Sequence, residues 1–280
     1  MYEHDRPPAG RATEDGGRVL IDVAVARIPG YRPLEYDLRT PAGAGPWPVV
    51  FWVHGGAWRT GGRRDRPPAG PEFGMHERLL GRGYAVADLS YRLSHEAVYP
   101  CQLHDLQSAI RWTRAFAADL NIDPTRCAIF GESAGGHLAT LAALATTPPD
   151  GSAALQAAIA WYPPTDLTFA DGPPEPDDPA IPLFGGMPAD VPEVARLGSP
   201  VHQIRSTAPP LLCVHGTADQ NVPLSHSQAL VDGLRALGNR AELVAVPDAK
   251  HGFEGCDDIG ALIDLSVDFL DDALVRGHGR

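Results

Sequence analysis

The stretch Cys127-Ala-Ile-Phe-Gly-Glu-Ser-Ala-Gly-Gly-His137 runs an apolar strand straight into Gly-x-Ser-x-Gly and then into a helix start built of small residues. That order constrains both a fold and a site. A strand that becomes a helix within two residues leaves no room for side chains at Gly131 and Gly135, which flank Ser133 two residues away on each side. The turn lifts the Ser133 hydroxyl above the sheet. The helix expected over about 134–146 aims its N-terminus at the same point, where unpaired N–H groups and the helix dipole favour negative charge. Ala134 N–H is the first candidate oxyanion donor. The pentapeptide alone is weak, because a tight glycine turn with an incidental surface serine reads the same way. Three further segments carry the argument.

Trp47-Pro-Val-Val-Phe-Trp-Val-His-Gly-Gly-Ala-Trp58 is a continuous apolar run followed by His-Gly-Gly, as expected of a buried parallel strand ending in a loop that offers its backbone to a ligand. Gly56 and Ala57 are the candidates for the second oxyanion donor, Gly55 supplies the turn, and His54 reads as a structural, hydrogen-bonding histidine. Pro209-Pro-Leu-Leu-Cys-Val-His-Gly-Thr-Ala-Asp-Gln-Asn-Val-Pro223 is a second buried-strand pattern that delivers Asp219 to a loop at the strand's C-terminal end, the edge where open α/β sheets bind ligands. Ala241-Glu-Leu-Val-Ala-Val-Pro-Asp-Ala-Lys-His-Gly-Phe253 then brings His251 about thirty residues beyond Asp219. An Asp in a turn or a His before Gly is ordinary taken singly. Serine, acid and histidine in that order, each at a strand end, is the chain order of an α/β-hydrolase triad. Asp248, three residues before His251, is the competing acid, but Asp219 ends the cleaner strand.

At 280 residues and 44% apolar composition, the chain suits one domain of the larger α/β kind. The pattern predicts a mostly parallel eight-stranded sheet covered by helices on both faces, with strands near 18–29, 31–41, 47–53, 84–90, 125–130, 155–162, 209–215 and 241–247. The first two are expected to be antiparallel at one edge. Helices are expected near 73–82, 102–119, 134–146, 224–237 and 259–275, after a frayed tail over 1–17. The main domain is read as 18–280. Between the sixth and seventh strands, about 163–208, prolines recur every few residues, most densely over Asp171-Gly-Pro-Pro-Glu-Pro-Asp-Asp-Pro179, which marks a partly ordered cap or lid insertion. Tyr162, Phe169, Phe184 and Met187 are candidates to line its pocket, and Trp58, directly after the oxyanion loop, ranks first for substrate contact.

A net charge of −12 and a pI near 5.3 disfavour nucleic acid and anionic membranes and leave a small neutral or modestly charged substrate as the partner. A homodimer is compatible with this composition. The first eight residues lack a signal-peptide pattern and no stretch is long and apolar enough to cross a membrane, so the expected location is the cytoplasm. The four cysteines are scattered, with no Cys-x-x-Cys, and the eleven histidines form no His-Glu-x-x-His or tight ligand cluster, so neither cofactor nor metal is expected.

The segments Tyr91-Arg-Leu-Ser, Tyr99-Pro, Asp105 with Ala109-Ile-Arg-Trp112, Ile122-Asp-Pro, Gly131-Glu-Ser-Ala-Gly-Gly-His-Leu138, His215-Gly-Thr-Ala-Asp219, Val222-Pro and His251-Gly-Phe together resemble the α/β-hydrolase esterases. Within them the chain is similar to the bacterial acetyl-ester and feruloyl-esterase-like group, near the hormone-sensitive-lipase-like carboxylesterases. The likeness covers about residues 30 to 275 and implies a serine carboxylic-ester hydrolase with Ser133, Asp219 and His251 at the triad positions. The chain departs from the pattern at Ala57, where relatives often carry a third glycine. The added methyl keeps the N–H but narrows the acyl side, which with Trp58 favours acetyl to butyryl esters. His-Gly-Gly followed by an aromatic also resembles kynurenine-formamidase-like members. Formamide or amide cleavage, acyl transfer or cyclisation on the same acyl-serine, and a non-catalytic binding protein of this fold therefore stand beside ester hydrolysis.

Overall fold

The computed structural model describes residues 6–65, 74–145, 153–169, 172 and 174–276, apart from the side chains of 275 and 276. Among them, nine strands form one sheet: β1 (Arg11–Ala12), β2 (Arg18–Ala26), β3 (Leu34–Thr40), β4 (Trp47–Val53), β5 (Ala85–Leu89), β6 (Ile122–Glu132), β7 (Ala157–Trp161), β8 (Leu211–Gly216) and β9 (Ala241–Val246). Their order is β1-β2-β3-β5-β4-β6-β7-β8-β9, antiparallel from β1 to β5 and parallel from β5 to β9. The helices are α1 (Met75–Gly81), α2 (Cys101–Ala115), α3 (Ala117–Leu120), α4 (Ala134–Leu144), α5 (Ala180–Phe184), α6 (Pro192–Leu197), α7 (Ser225–Ala236) and α8 (Ile259–Leu270). Each parallel crossover carries helix, as the geometry of βαβ units requires.

The core divides by strand periodicity. Along β4, Val49, Phe51 and Val53 join the cluster that includes Leu106 and Ile110 of α2, Leu138 of α4 and Leu230 and Leu234 of α7. Val50 and Trp52 face the other way, into the cluster with Met75 and Leu79 of α1 and Ile263, Val267 and Leu270 of α8. Burial on both faces is why β4 reads as an unbroken apolar run rather than an alternating one. Every residue of α4 is buried, so its glycines and alanines permit close approach to the sheet on one side and to the segment between β7 and β8 on the other.

The sheet has one strand more than the eight expected. Arg11 and Ala12 pair with Val19 and Arg18, which tethers a part of the segment expected to fray through residue 17; two residues are too few to show a periodicity. Residues 1–5 of that tail, and Asp171 and Pro173 of the proline-rich stretch, lie outside the described residues. The helix expected over 102–119 breaks at Phe116, whose φ of −109° and ψ of 20° divide α2 from α3. The last helix passes at Asp271 into a π-helical turn through Arg276.

Candidate active site

At the C-terminal end of β6, Ser133 takes φ 49° and ψ −121°, a conformation a serine adopts only when its surroundings force it. Its N–H is bound to Trp161 O at 2.8 Å, and its carbonyl accepts the first α4 bond from His137 N at 2.9 Å. The flanking glycines leave no alternative. A Cβ at Gly131 would stand 2.3 Å from Gly135 O, and one at Gly135 would stand 2.1 Å from Val53 O. The elbow thus wedges α4 against both β6 and the end of β4.

Three parallel strands bring the reacting side chains together. His251 Nε2 lies 3.0 Å from Ser133 Oγ, and His251 Nδ1 lies 2.8 Å from Asp219 Oδ2. Asp219 Oδ1 accepts from the N–H groups of Asn221 and Val222 at 3.0 and 2.9 Å. His215 stands behind it, with Nε2 3.4 Å from Asp219 Oδ2 and 2.8 Å from Val222 O, while Nδ1 meets Ser227 Oγ at 2.7 Å. Burial alone would raise the Asp219 pKa, but His215, His251 and the Val222 N–H overbalance it and hold the carboxylate well below its usual range. An acid kept ionised can fix the imidazole tautomer and stabilise its cation. Asp248 is exposed, its own N–H bound to Thr217 Oγ1 at 2.8 Å, whereas the carboxylate paired with His251 is that of Asp219.

The loop after β4 supplies the opposing donors. Gly56, Ala57 and Trp58 are consecutive left-handed residues, with φ 100°, 51° and 58°. For Ala57 and Trp58 this costs about 1–2 kcal/mol each, so surrounding contacts must hold the loop. Those contacts form a cradle. Ser94 N donates to Trp58 O at 2.8 Å, and Tyr91 Oη donates to His54 O at 3.1 Å while its ring stacks on the His54 ring at 4.3 Å. Arg92, bonded to the buried Asp105 carboxylate at 2.6 and 2.9 Å, anchors the stretch that carries Tyr91 and Ser94. Burial lowers the His54 pKa to about 4, which keeps it neutral in this structural place. Among the described residues, no protein group accepts from the N–H of Gly56, Ala57 or Ala134, which leaves these amides for a ligand oxygen.

Sequence reasoning missed Glu132, the variable residue before the nucleophile. It is 7% exposed, accepts from Tyr162 Oη at 2.6 Å and packs against Gly55, where a Cβ would stand 3.2 Å from Glu132 Oε1, and so sets the elbow against the oxyanion loop. Burial raises its pKa against the lowering influence of Tyr162, the Gly55 amide and the His251 charge. An acid inside an otherwise apolar run was the available signal. Tyr162 in turn presents its ring edge to His251, with centroids 4.7 Å apart.

A cavity of about 1390 Å³ opens over the serine, lined by the oxyanion loop, Ser133, Ala134, His251, Tyr162, Phe169 and residues of the β7–β8 segment and α7. Trp58 borders it at only 3% exposure, with its indole N–H committed to His137 Nδ1 at 3.2 Å. Phe184 does not reach the cavity. It is buried at the end of α5, edge-on to Tyr99 and against Gly198, so its expected role in substrate contact is corrected; Met187 is also absent from the lining. Among the described residues, no group of three or more His, Cys, Asp or Glu side chains is placed to hold a metal ion.

The strand–elbow–helix, the cleft at the sheet's C-terminal edge and the Ser-His-Asp line define an α/β-hydrolase of the esterase group. The BD-FAE family model matches residues 36–234, and the chain belongs to that family. Among curated proteins it is 34% identical over 217 residues to Esterase LipQ of Mycobacterium tuberculosis (strain ATCC 25618 / H37Rv), covering 74% of this chain and 50% of that protein. The chain spans about half the length of the first curated relatives it matches. A truncated carbohydrate esterase from gut microbiota superposes with a TM-score of 0.78 at 26% identity, covering 94% of this chain and 99% of that one. The thermophilic esterase Est2 of the Planctomycetes species Thermogutta terrifontis, in its butyrate-bound form, superposes with a TM-score of 0.73 at 28% identity, covering 92% and 94%. No helix among the described residues is long and apolar enough to cross a membrane.

Proposed function

We propose that the protein hydrolyses small carboxylic esters through an acyl-serine intermediate. The observation that carries this reading is the unbroken line from Ser133 Oγ to His251 at 3.0 Å and on to Asp219 at 2.8 Å, set opposite open backbone amides. His251 takes the hydroxyl proton as Ser133 attacks the ester carbonyl, and Asp219 stabilises the imidazolium. The Ala134 amide and those of Gly56 and Ala57 receive the tetrahedral oxyanion. His251 then protonates the leaving alcohol. The same histidine activates water, whose attack on the acyl group releases the acid and restores Ser133.

A short acyl group is favoured by the Ala57 methyl at the oxyanion loop and by Trp58 beside it, and the similarity to an esterase solved with butyrate supports that preference. The β7–β8 segment, 163–208, is read as the cap over this site, on the main domain of 18–280. Four unpaired cysteines accord with a reducing compartment such as the cytoplasm, and the small ester is the partner.

Initial rates on p-nitrophenyl acetate, butyrate, octanoate and decanoate, with Ser133→Ala protein as the blank, test the proposal. Ser133-dependent turnover that declines beyond butyrate is the expected result. Undiminished hydrolysis by folded Ser133→Ala protein would overturn the nucleophile. Turnover of an aryl formamide with none of the four esters would overturn the ester reading, and a preference for decanoate would overturn the chain-length reading.

A further inference from the structure

Trp58, which borders the cavity, and Phe184, which does not line it, stand at the two ends of a buried strut. The Trp58 indole can only donate, so His137 Nδ1, 3.2 Å away, must accept. That leaves the proton of a neutral imidazole on Nε2, which donates to Gly198 O at 2.6 Å. His137 is fully buried, and its ring meets the indole edge-on at 5.0 Å. Gly198, just past α6, has no room for a side chain: a Cβ there would lie 2.5 Å from the Phe184 ring and 3.2 Å from Val194 O. Phe184 therefore props the peptide whose carbonyl orients His137.

His137 also belongs to the turn of α4 that begins at the nucleophile, through its N–H bond to Ser133 O at 2.9 Å. One side chain thus links three chain segments: the oxyanion loop, the elbow helix and the segment between β7 and β8. The indole bond adds a side-chain restraint to the Ser94 and Tyr91 contacts that hold the left-handed Ala57 and Trp58. We propose that Phe184, Gly198, His137 and Trp58 act as a positioning strut that sets the Ala57 amide against the developing oxyanion, so that the β7–β8 segment controls the rate of chemistry at a site that Gly198 and Phe184 do not line. This rests on the acyl-serine reading above, since only a tetrahedral oxyanion makes the placement of that amide a matter of rate.

Trp58→Phe keeps the ring and removes the donor. The expected result is a kcat on p-nitrophenyl acetate lower by about tenfold or more at nearly unchanged KM, with affinity for a trifluoromethyl ketone falling in the same proportion. His137→Gln, whose amide can accept from the indole and donate to Gly198, is expected to retain more activity than His137→Ala. Gly198→Ala should lower kcat from outside the cavity, and adding Phe184→Leu, which shortens the clashing side chain, should recover most of the loss. Wild-type kcat in both Trp58→Phe and Gly198→Ala, or a loss confined to KM, would overturn the strut. Exchange of the Trp58 indole proton, followed by NMR, tests the same strut whether or not esters are turned over. Slow exchange in the wild type that becomes fast in Gly198→Ala supports it, and fast exchange in the wild type overturns it.

Discussion

Mild acid should destabilise this protein through its buried histidines, and His137 allows the effect to be isolated. Burial lowers the pKa of both His54 and His137 from 6.5 to about 4. In the unfolded chain each imidazole takes up a proton as pH falls through 6.5, whereas the folded protein resists until about 4. Their contribution is therefore complete above the unfolded value and lost as pH falls toward the folded one. Each such histidine costs about 1.4 kcal/mol of stability by pH 5.5 and about 3 kcal/mol by pH 4. His226, also lowered by burial, adds in the same sense. Glu132, raised by burial, acts in the opposite sense, its stabilisation lost as pH rises through its folded pKa. The lowered Asp37 and Asp219 lose theirs only as pH falls through and below 3.8. The difference between wild type and His137→Gln cancels these other groups. Urea unfolding at pH 7.5 and 5.5 provides the assay. With a slope of about 3 kcal/mol per molar urea, the wild-type midpoint should fall by about 0.5 M more than that of His137→Gln. Equal falls in the two proteins would refute the claim that His137 is held neutral by its burial.

Asp219→Asn should lower kcat by about 10⁴-fold with the fold intact, because the amide no longer fixes or stabilises the imidazolium; circular dichroism and steady-state rates check both halves. Glu132→Gln keeps an acceptor for Tyr162 but removes the buried carboxyl packed against Gly55, so kcat/KM should fall by about tenfold; wild-type kcat/KM in folded Glu132→Gln protein argues against a part for the carboxyl in setting the oxyanion loop. Ala57→Gly removes a methyl and a strained left-handed alanine together, and the ratio of octanoate to acetate turnover should rise by about tenfold in side-by-side assays.

Much of the fold was legible because parallel strands buried on both faces write themselves as apolar runs; β6 ends at Glu132 and β8 at Gly216, and β4 ends at Val53 just before His54-Gly55-Gly56, so the functional edge is marked in the sequence. The Gly-x-Ser-x-Gly elbow, the strand-end loops and the chain order together brought Ser133, Asp219 and His251 to notice, and the exposed Asp248 shows why strand context, not proximity to His251, separated the two acids. The direction of side chains in the proline-rich segment was not legible. Nothing local distinguishes Phe169, which lines the cavity, from Phe184, which packs beneath Gly198, since no regular period runs through that segment. The partners of Glu132 and His137 lie 30 and 61 residues away in Tyr162 and Gly198, distances that only the folded sheet closes. A polar residue within an apolar or small-residue run signals that it must find partners, but not which ones.

The order in which the sheet is threaded has a consequence during synthesis. Ser133 precedes its base by 118 residues, and β8 and β9 must pair in parallel before His251 can reach it. At ribosomal speeds of roughly 5–20 residues per second, about 6 to 24 s pass between the emergence of the nucleophile and that of the histidine. Throughout that interval the serine is an ordinary alcohol. On the acyl-serine reading, the centre is therefore complete only once β9 has docked, and until then the growing chain carries the serine without its base.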